Sequence, residues 1–169
     1  MRHASSRSWL AAIVVVVAMG CASERHAVPP VGTLVTPELR YDLLRGKRIN
    51  VRVVDERSNR EFSEGLIATI EDAVASSLRH AEIPVDETSS DLLEIRIRAF
   101  STELNLGEWK GCAALSSTLK VGEKPEVMAF EQCVTKLDTA GPKSGDQAAA
   151  KALEDALALL LHQVDRMGR

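Results

Sequence analysis

The residues of this chain that could do chemistry are three cysteines, four histidines and scattered acids. Cysteine thiolates can act as nucleophiles, bind metals or form disulfides, and histidine can act as a base or a metal ligand. No two histidines have metal-ligand spacing, and no free cysteine is expected near them. The chain also has no Gly-x-Ser-x-Gly motif and no glycine-rich phosphate loop. We therefore predict a non-enzymatic protein with no catalytic residues, no metal site and no cofactor.

The polar side chains that remain are predicted to be solvated surface. His162 lies one helical turn from Asp165, near the end of a predicted helix. A pair at this spacing near a helix C-terminus usually faces solvent and interacts with the helix dipole. The same interpretation applies to His80 and to acid pairs such as Asp55 and Glu56, which lie beside basic residues.

Residues 1–20 have the organisation of a secretory signal. Arg2 and Arg7 precede an apolar run from Leu10 to Met19, which ends at Gly20. A basic start, a short apolar core and a small residue before the cleavage point are typical of such signals. A helix needs about 20 apolar residues to cross a bilayer. This run is much shorter, so we predict that residues 1–20 are removed.

The end of the signal, Ala18-Met19-Gly20-Cys21, resembles the bacterial lipobox, in which a small residue precedes a cysteine that becomes the lipidated N-terminus. The resemblance implies a diacylglycerol on the Cys21 thiol and an acyl chain on its amine. Since each buried CH₂ contributes about 0.8 kcal/mol, three chains anchor a protein durably. Ala22 stands where an aspartate retains enteric lipoproteins at the inner membrane, which favours the outer membrane. The alternative is ordinary cleavage that leaves Cys21 as a spare thiol.

The charge of the mature chain excludes a nucleic-acid partner. The net charge is −3, and loss of Arg2 and Arg7 with the signal makes it −5. Because nucleic-acid phosphates are bound by clustered Lys and Arg, we predict no nucleic-acid binding. An anionic domain is also repelled by acidic head groups, so we expect lipid rather than a basic face to supply membrane attachment.

The mature chain is predicted to consist of a tether followed by one domain. Residues 21–35 contain the lipidated cysteine, no apolar periodicity and a Pro29-Pro30 pair, which indicates a flexible tether. Residues 36–169 are predicted to form a single domain that faces the periplasm. A short helix over residues 36–46 is predicted at its start, with a strand and a turn as the alternative.

Hydrophobic periodicity predicts the order strand, helix, three strands, helix. Residues 48–54 and 93–99 alternate polar and apolar side chains, as half-buried strands do. Apolar residues recur every three or four positions from Ser63 to before Pro84, as in an amphipathic helix. Ser144 and Gln147 have the spacing of a capping box at the start of a long Ala/Leu-rich helix. We predict an α+β two-layer sandwich, with two helices on one face of a mainly antiparallel sheet and the other face wet.

Two of the cysteines fall on the arms of a predicted hairpin. Strands over residues 108–121 and 127–137 are joined by turn residues, and pairing in which the two residue numbers add to 245 sets Cys112 opposite Cys133. In secreted proteins such cysteine pairs are oxidised to disulfides. We predict a structural disulfide that contributes about 2–4 kcal/mol. The alternative is two thiols one register step apart.

Two features of the sequence could form a binding site for a partner protein. Trp109 begins a strand beside a Gly-flanked loop, and tryptophan is enriched where proteins bind one another. The alternative is a tryptophan that covers the end of the core. The last helix has leucines on nearly every side, at positions Leu157, Leu159, Leu160 and Leu161. Either a partner docks on this surplus or the helix is buried more deeply within the domain.

The pattern resembles small bacterial lipoproteins of the YajG-like group, and more loosely the lipopolysaccharide-assembly lipoprotein and the auxiliary lipoproteins of lipid-transport ABC systems. The matching segments are Cys21 in the lipobox, Val51 to Arg57, Ile83 to Val85, Asp91 to Ile95 and the closing Ala-rich helix. Such families are similar in being α+β modules that face the periplasm and support an envelope machine without catalysis.

The resemblance implies a lipoprotein anchored in the outer membrane that acts as an accessory or structural partner in envelope assembly or lipid transport. Its expected partners are the membrane, through the lipid on Cys21, and an envelope protein. The alternative is a module that binds a lipid or a glycan on its exposed sheet face or at Trp109. The sequence does not identify a small-molecule ligand.

Overall fold

A computed structural model of the chain describes residues 39–58, 65–122, 124–128 and 144–167. The domain is α+β, and the predicted order of strand, helix, three strands and helix is confirmed. The elements in chain order are β1 (Asn50–Asp55), α1 (Leu66–His80), β2 (Leu92–Asn105), β3 (Glu108–Val121), β4 (Lys124–Met128) and α2 (Gly145–Arg166).

The four strands form one sheet in the order β1-β2-β3-β4. β1 is parallel to β2, while the β2–β3 and β3–β4 pairs are antiparallel. The described β3–β4 pairs run from Ser117 with Met128 to Val121 with Lys124, which is the predicted register. The predicted continuation of this strand beyond Met128 lies outside the described residues.

β2 is longer than predicted. A bulge between Ile97 and Ala99 shifts the alternation by one residue, so that Phe100 returns to the buried face and pairing with β3 continues to Asn105. The regular alternation of polar and apolar residues ends at this bulge, so the strand predicted from the sequence also ended there. β2 and β3 therefore form one long hairpin instead of two strands joined by a loop.

Both helices cover the same face of the sheet. α1 packs on β1, α2 packs on β3 and β2, and the two helices touch each other. The inward residues Leu93, Ile95 and Ile97 of β2 are fully buried, as predicted. On the outer face, Arg96 pairs with Glu94 at 2.7 Å and with Glu56 at 3.1 Å. The outer surface is therefore charged over β1 and β2, although Ala114 and Ser116 in the centre of β3 are buried.

The apolar surplus of α2 is used inside the domain. Leu157, Leu160 and Leu161 are all fully buried, and Leu159 is partly exposed. The helix begins as predicted, because Ser144 Oγ accepts a hydrogen bond from the Gln147 N–H at 3.3 Å. Deeper burial, rather than a docked partner, explains the leucines of this helix.

The segment that enters the domain is held by a buried polar cluster. Asp165 Oδ1 accepts hydrogen bonds from the backbone N–H groups of Arg40 and Tyr41 at 2.9 and 2.7 Å. The Tyr41 hydroxyl is hydrogen-bonded to Ser77 Oγ at 2.9 Å. Asp165, predicted to be solvated beside His162, is instead buried, because it satisfies two backbone donors that no strand or helix pairs.

The helix predicted over residues 36–46 is reduced to one 3₁₀ turn, Asp42–Leu44. Tyr41 precedes it with a φ of 47°, a left-handed backbone that interrupts any helix begun earlier. Leu44 is fully buried, so the turn points an apolar side chain into the core. Thr36 and Pro37, the predicted helix start, lie outside the described residues.

The Tyr41 cluster predicts loss of stability in alkali. Burial raises the pKa of Tyr41 from 10.0 to about 12, the Ser77 hydrogen bond opposes this, and the charge of Asp165 adds to it. The unfolded chain then loses the phenol proton first, so the free energy of unfolding falls by about 2–3 kcal/mol as pH rises from about 10 to about 12. Tyr41 is the only tyrosine, so phenolate absorbance measures it alone. A phenol titrating near pH 10 in the folded protein would contradict the burial.

Candidate functional site

The most exposed apolar side chains of the described residues lie at the tip of the β2–β3 hairpin. Leu104 on β2 is 55% exposed, and Leu106 in the turn is 100% exposed. Leu104 pairs directly with Trp109 across the hairpin, so the two lie on the same face of the sheet. We call Leu104, Leu106 and Trp109 the hairpin tip.

The turn that carries Leu106 is strained. Asn105 pairs with Glu108, which leaves a two-residue loop of Leu106 and Gly107 with φ values of 52° and 84°. Two positive φ angles are typical of a type I′ turn, which favours asparagine followed by glycine. Glycine adopts this conformation freely, but a leucine there costs about 1–2 kcal/mol. Leu106 gains no burial in return, so nothing within the folded domain explains a leucine at this position.

Trp109 has a structural role as well as a surface. It is half-buried, and its ring lies against Gly145, the first residue of α2: a Cβ added to Gly145 would lie 3.1 Å from Trp109 Cζ3. The ring therefore covers the start of α2, which is the alternative that the sequence left open. Because Trp109 is also paired with Leu104, the tip combines an aromatic side chain packed on α2 with the exposed Leu104 beside it and Leu106 in the turn.

The hairpin tip lies far from the point where the chain enters the domain. Trp109 packs at the start of α2, whereas Arg40 and Tyr41 are bound by Asp165 near its end. Twenty residues of α-helix separate Gly145 from Asp165, which corresponds to about 30 Å. The hairpin tip and the first described residues are therefore at opposite ends of α2.

One acid pair predicted to be solvated is divided between the two faces of the sheet. Asp55 lies toward the core, where it binds the buried Arg57 through Nε to Oδ1 and Nη2 to Oδ2, both at 2.8 Å. Arg57 Nη1 also donates to the Phe100 carbonyl at 3.3 Å. Glu56 faces outward and pairs with Arg96 and Arg98. The prediction of solvated surface was wrong for Asp55, because the strand continues through it and turns it inward.

The predicted disulfide is supported at one end. Cys112 lies on β3 and is disulfide-bonded. The other two cysteines, Cys21 and Cys133, lie outside the described residues. The Cys112–Cys133 pairing and the lipidation of Cys21 therefore stay predictions.

The described part of the chain adds no sign of a metal or a membrane span. In the described ranges no three His, Cys, Asp or Glu side chains gather as metal ligands. None of the helices built from these residues combines the length and apolarity that a bilayer crossing needs. Comparison of the chain with protein-family models, curated proteins and solved structures gives no match.

The sequence singled out Trp109 on this hairpin as a possible partner contact, and it did not single out Leu106. Trp109 was singled out for its type, but Leu106 is the side chain that is exposed without a structural reason. The signal was present: Leu106 and Gly107 separate two stretches that can pair, which is typical of a two-residue hairpin turn. It was missed because the bulge after Ile97 hid the second half of β2.

Proposed function

We propose that the protein is a non-enzymatic lipoprotein of the outer membrane, anchored through Cys21, which acts as an accessory partner in envelope assembly or lipid transport. We propose further that the hairpin tip docks an envelope protein. The signal and the lipobox resemblance in residues 1–21 support the anchor. The fully exposed Leu106 in a strained turn supports the docking, and it is the single observation that carries this proposal.

Strain of this kind is often retained at binding sites. An asparagine in place of Leu106 would relax the turn and remove an exposed apolar side chain, so the leucine disfavours both folding and solubility. A binding interface needs a central cluster in which an aromatic or aliphatic side chain fills a pocket on the partner. A function in which Leu106 enters a pocket on a partner accounts for these features together.

A partner is a better occupant of the tip than the membrane that holds the anchor. The tip lies about 30 Å along α2 from Arg40, which is near the first described residue. The acids Glu103 and Glu108 flank the tip and are exposed. Carboxylates beside the leucines oppose insertion among acidic lipids but suit the polar rim of a protein interface.

The test is the Leu106→Asn variant, for which stability and function are expected to change in opposite directions. Asparagine favours the type I′ turn, so we expect the free energy of unfolding to rise by about 1 kcal/mol. We expect affinity capture from detergent-solubilised envelopes to lose a stoichiometric partner by tenfold or more, because a central apolar anchor contributes about 2 kcal/mol. Thermal unfolding and quantitative mass spectrometry measure the two effects.

The matched control is Ile67→Gln, which removes the 40% exposed isoleucine of α1. It should leave capture unchanged. Equal loss of captured partner in both variants would mean that capture depends on non-specific hydrophobic binding. Unchanged capture by Leu106→Asn would reject the docking site. Co-purified lipid or glycan without a protein would favour a ligand-binding module instead. A Cys21→Ala arm tests the anchor separately, since it should release the protein from membranes while its capture of solubilised partner persists.

A further inference from the structure

The end of the domain where the chain enters carries a shallow open groove of about 650 Å³. Leu39, the first described residue, lines it, together with Arg40, Arg45, His80 and Glu82. These side chains come from the entering segment and from the end of α1. The groove is therefore the described surface closest along the chain to Cys21, from which 17 residues separate Leu39.

The charge around this groove is opposite to that of the domain as a whole. The mature chain carries −5, but the surface formed by the entering segment, the helix ends and the loop at Asp86 has six Lys or Arg side chains against four acids. The cations are Arg40, Arg45, Lys47, Arg48, Arg79 and Arg166, and the acids are Asp42, Glu82, Asp86 and Glu87. We call these ten residues and His80 the basic end.

The ion pairs at the basic end leave its cations available to a ligand. Arg45 meets Asp42 at 3.4 Å with its side chain 72% exposed, and Arg48 meets Asp86 at 3.3 Å with its side chain 74% exposed. Pairs this exposed contribute little to stability. Two further acids near this end, Asp91 and the buried Asp165, accept hydrogen bonds from backbone N–H groups. The net positive charge at this end therefore faces solvent.

We propose that the basic end rests on the membrane surface and binds the phosphate groups of acidic phospholipids. This inference rests on the proposed lipid anchor, because the anchor delivers this end of the domain to the bilayer. Phosphate is bound by Arg side chains through paired N–H donors, and an acidic bilayer attracts each Lys or Arg near its surface. The domain then stands upright, with α2 directed away from the bilayer and the hairpin tip presented to the periplasm.

The overall charge is consistent with this orientation. A basic end on a domain of −5 leaves the other surfaces strongly acidic, and an acidic membrane repels them. The same charge distribution therefore attracts one end and disfavours a domain lying flat. The net charge of the chain predicts that acidic lipids repel the domain. The distribution of that charge predicts that they attract the basic end.

The test uses the full mature chain, residues 21–169, with Cys21→Ala to remove the anchor, so that its outcome does not depend on lipidation. Flotation with phosphatidylglycerol vesicles is compared with flotation on phosphatidylcholine vesicles at low salt. We expect binding to phosphatidylglycerol only, weakened by salt because exposed charges are screened. At about 1 kcal/mol per cation, Arg40→Gln with Arg45→Gln should lower the partition coefficient about thirtyfold.

The matched control removes the same charge from the outer face of the sheet, by Arg98→Gln with Lys110→Gln. Arg98 lies at the bulge of β2 and Lys110 pairs with Glu103 near the hairpin turn, away from the basic end, so we expect less than a twofold change. No preference for phosphatidylglycerol, or equal losses in the two double variants, would overturn the proposal. Saturable binding of inorganic phosphate in the groove without vesicle binding would also overturn it, as a site for free anions. None of these results bears on whether Cys21 is lipidated, which the membrane release of Cys21→Ala in cells decides.

Discussion

Replacement of Gly111 by alanine is expected to lower the free energy of unfolding by about 3 kcal/mol or more. A Cβ at this position would lie 2.0 Å from the carbonyl oxygen of Ala148 and 2.5 Å from its carbonyl carbon. Both atoms belong to the backbone of α2, so no side-chain rotation relieves the clash. The helix would have to move off β3, against which it buries its alanine and leucine stripe.

Chemical unfolding followed by tryptophan fluorescence measures this effect. In a protein made as residues 21–169, without the predicted signal that contains Trp9, Trp109 is the only tryptophan, and it lies two residues from the substitution. The control is Gly145→Ala, where the three atoms nearest the added Cβ belong to the side chains of Trp109 and Thr102, at 3.1–3.3 Å. We expect less than 1 kcal/mol there, because side chains can adjust. A Gly111→Ala protein as stable as wild type would show that α2 does not lie so close to β3.

Loss of the Arg57 side chain is expected to lower the free energy of unfolding by as much as Gly111→Ala does. Its side chain is 2% exposed, and it neutralises Asp55, which is 13% exposed, through two parallel hydrogen bonds. The guanidinium also lies 5.9 Å from the centre of the Phe100 ring. Arg57→Ala leaves the Asp55 carboxylate without this partner at the edge of the core, so we expect a loss of about 3–5 kcal/mol.

A double variant separates the charge effect from the packing effect. Asp55→Leu with Arg57→Met removes both charges and keeps most of the volume. Buried ion pairs replaced in this way are often neutral in stability, so we expect the double variant to be within about 1–2 kcal/mol of wild type. A double variant that is less stable than Arg57→Ala would mean that the charges themselves, rather than their pairing, stabilise the fold.

The regular part of this fold was predictable because its patterns are local. The alternation of β2, the capping box at Ser144 and the hairpin register of β3 with β4 each depend on residues close in sequence. Contacts between distant segments were not visible in the pattern. Asp165 binds the backbone of Arg40 and Tyr41, which are more than 120 residues away in the sequence. The residues next to Asp165 in the sequence do not distinguish it from a solvated acid.

The candidate site was predictable only in part, for a related reason. Trp109 could be singled out by residue type, whereas the importance of Leu106 depends on a backbone angle and on full exposure. Both follow from the position of the turn, which the bulge in β2 concealed. The basic end was hidden in the same way, because its arginines come from three separate segments and the net charge of the chain is negative.

Site-specific crosslinking in living cells is the strictest test of the proposal that a lipid-anchored domain docks an envelope protein through its hairpin tip. A photo-reactive phenylalanine analogue replaces Leu106 in the otherwise native chain, and a parallel strain carries it in place of the exposed Ile67. We expect one dominant protein adduct from position 106 and none from position 67. No adduct from position 106, or the same adducts from both positions, would contradict it.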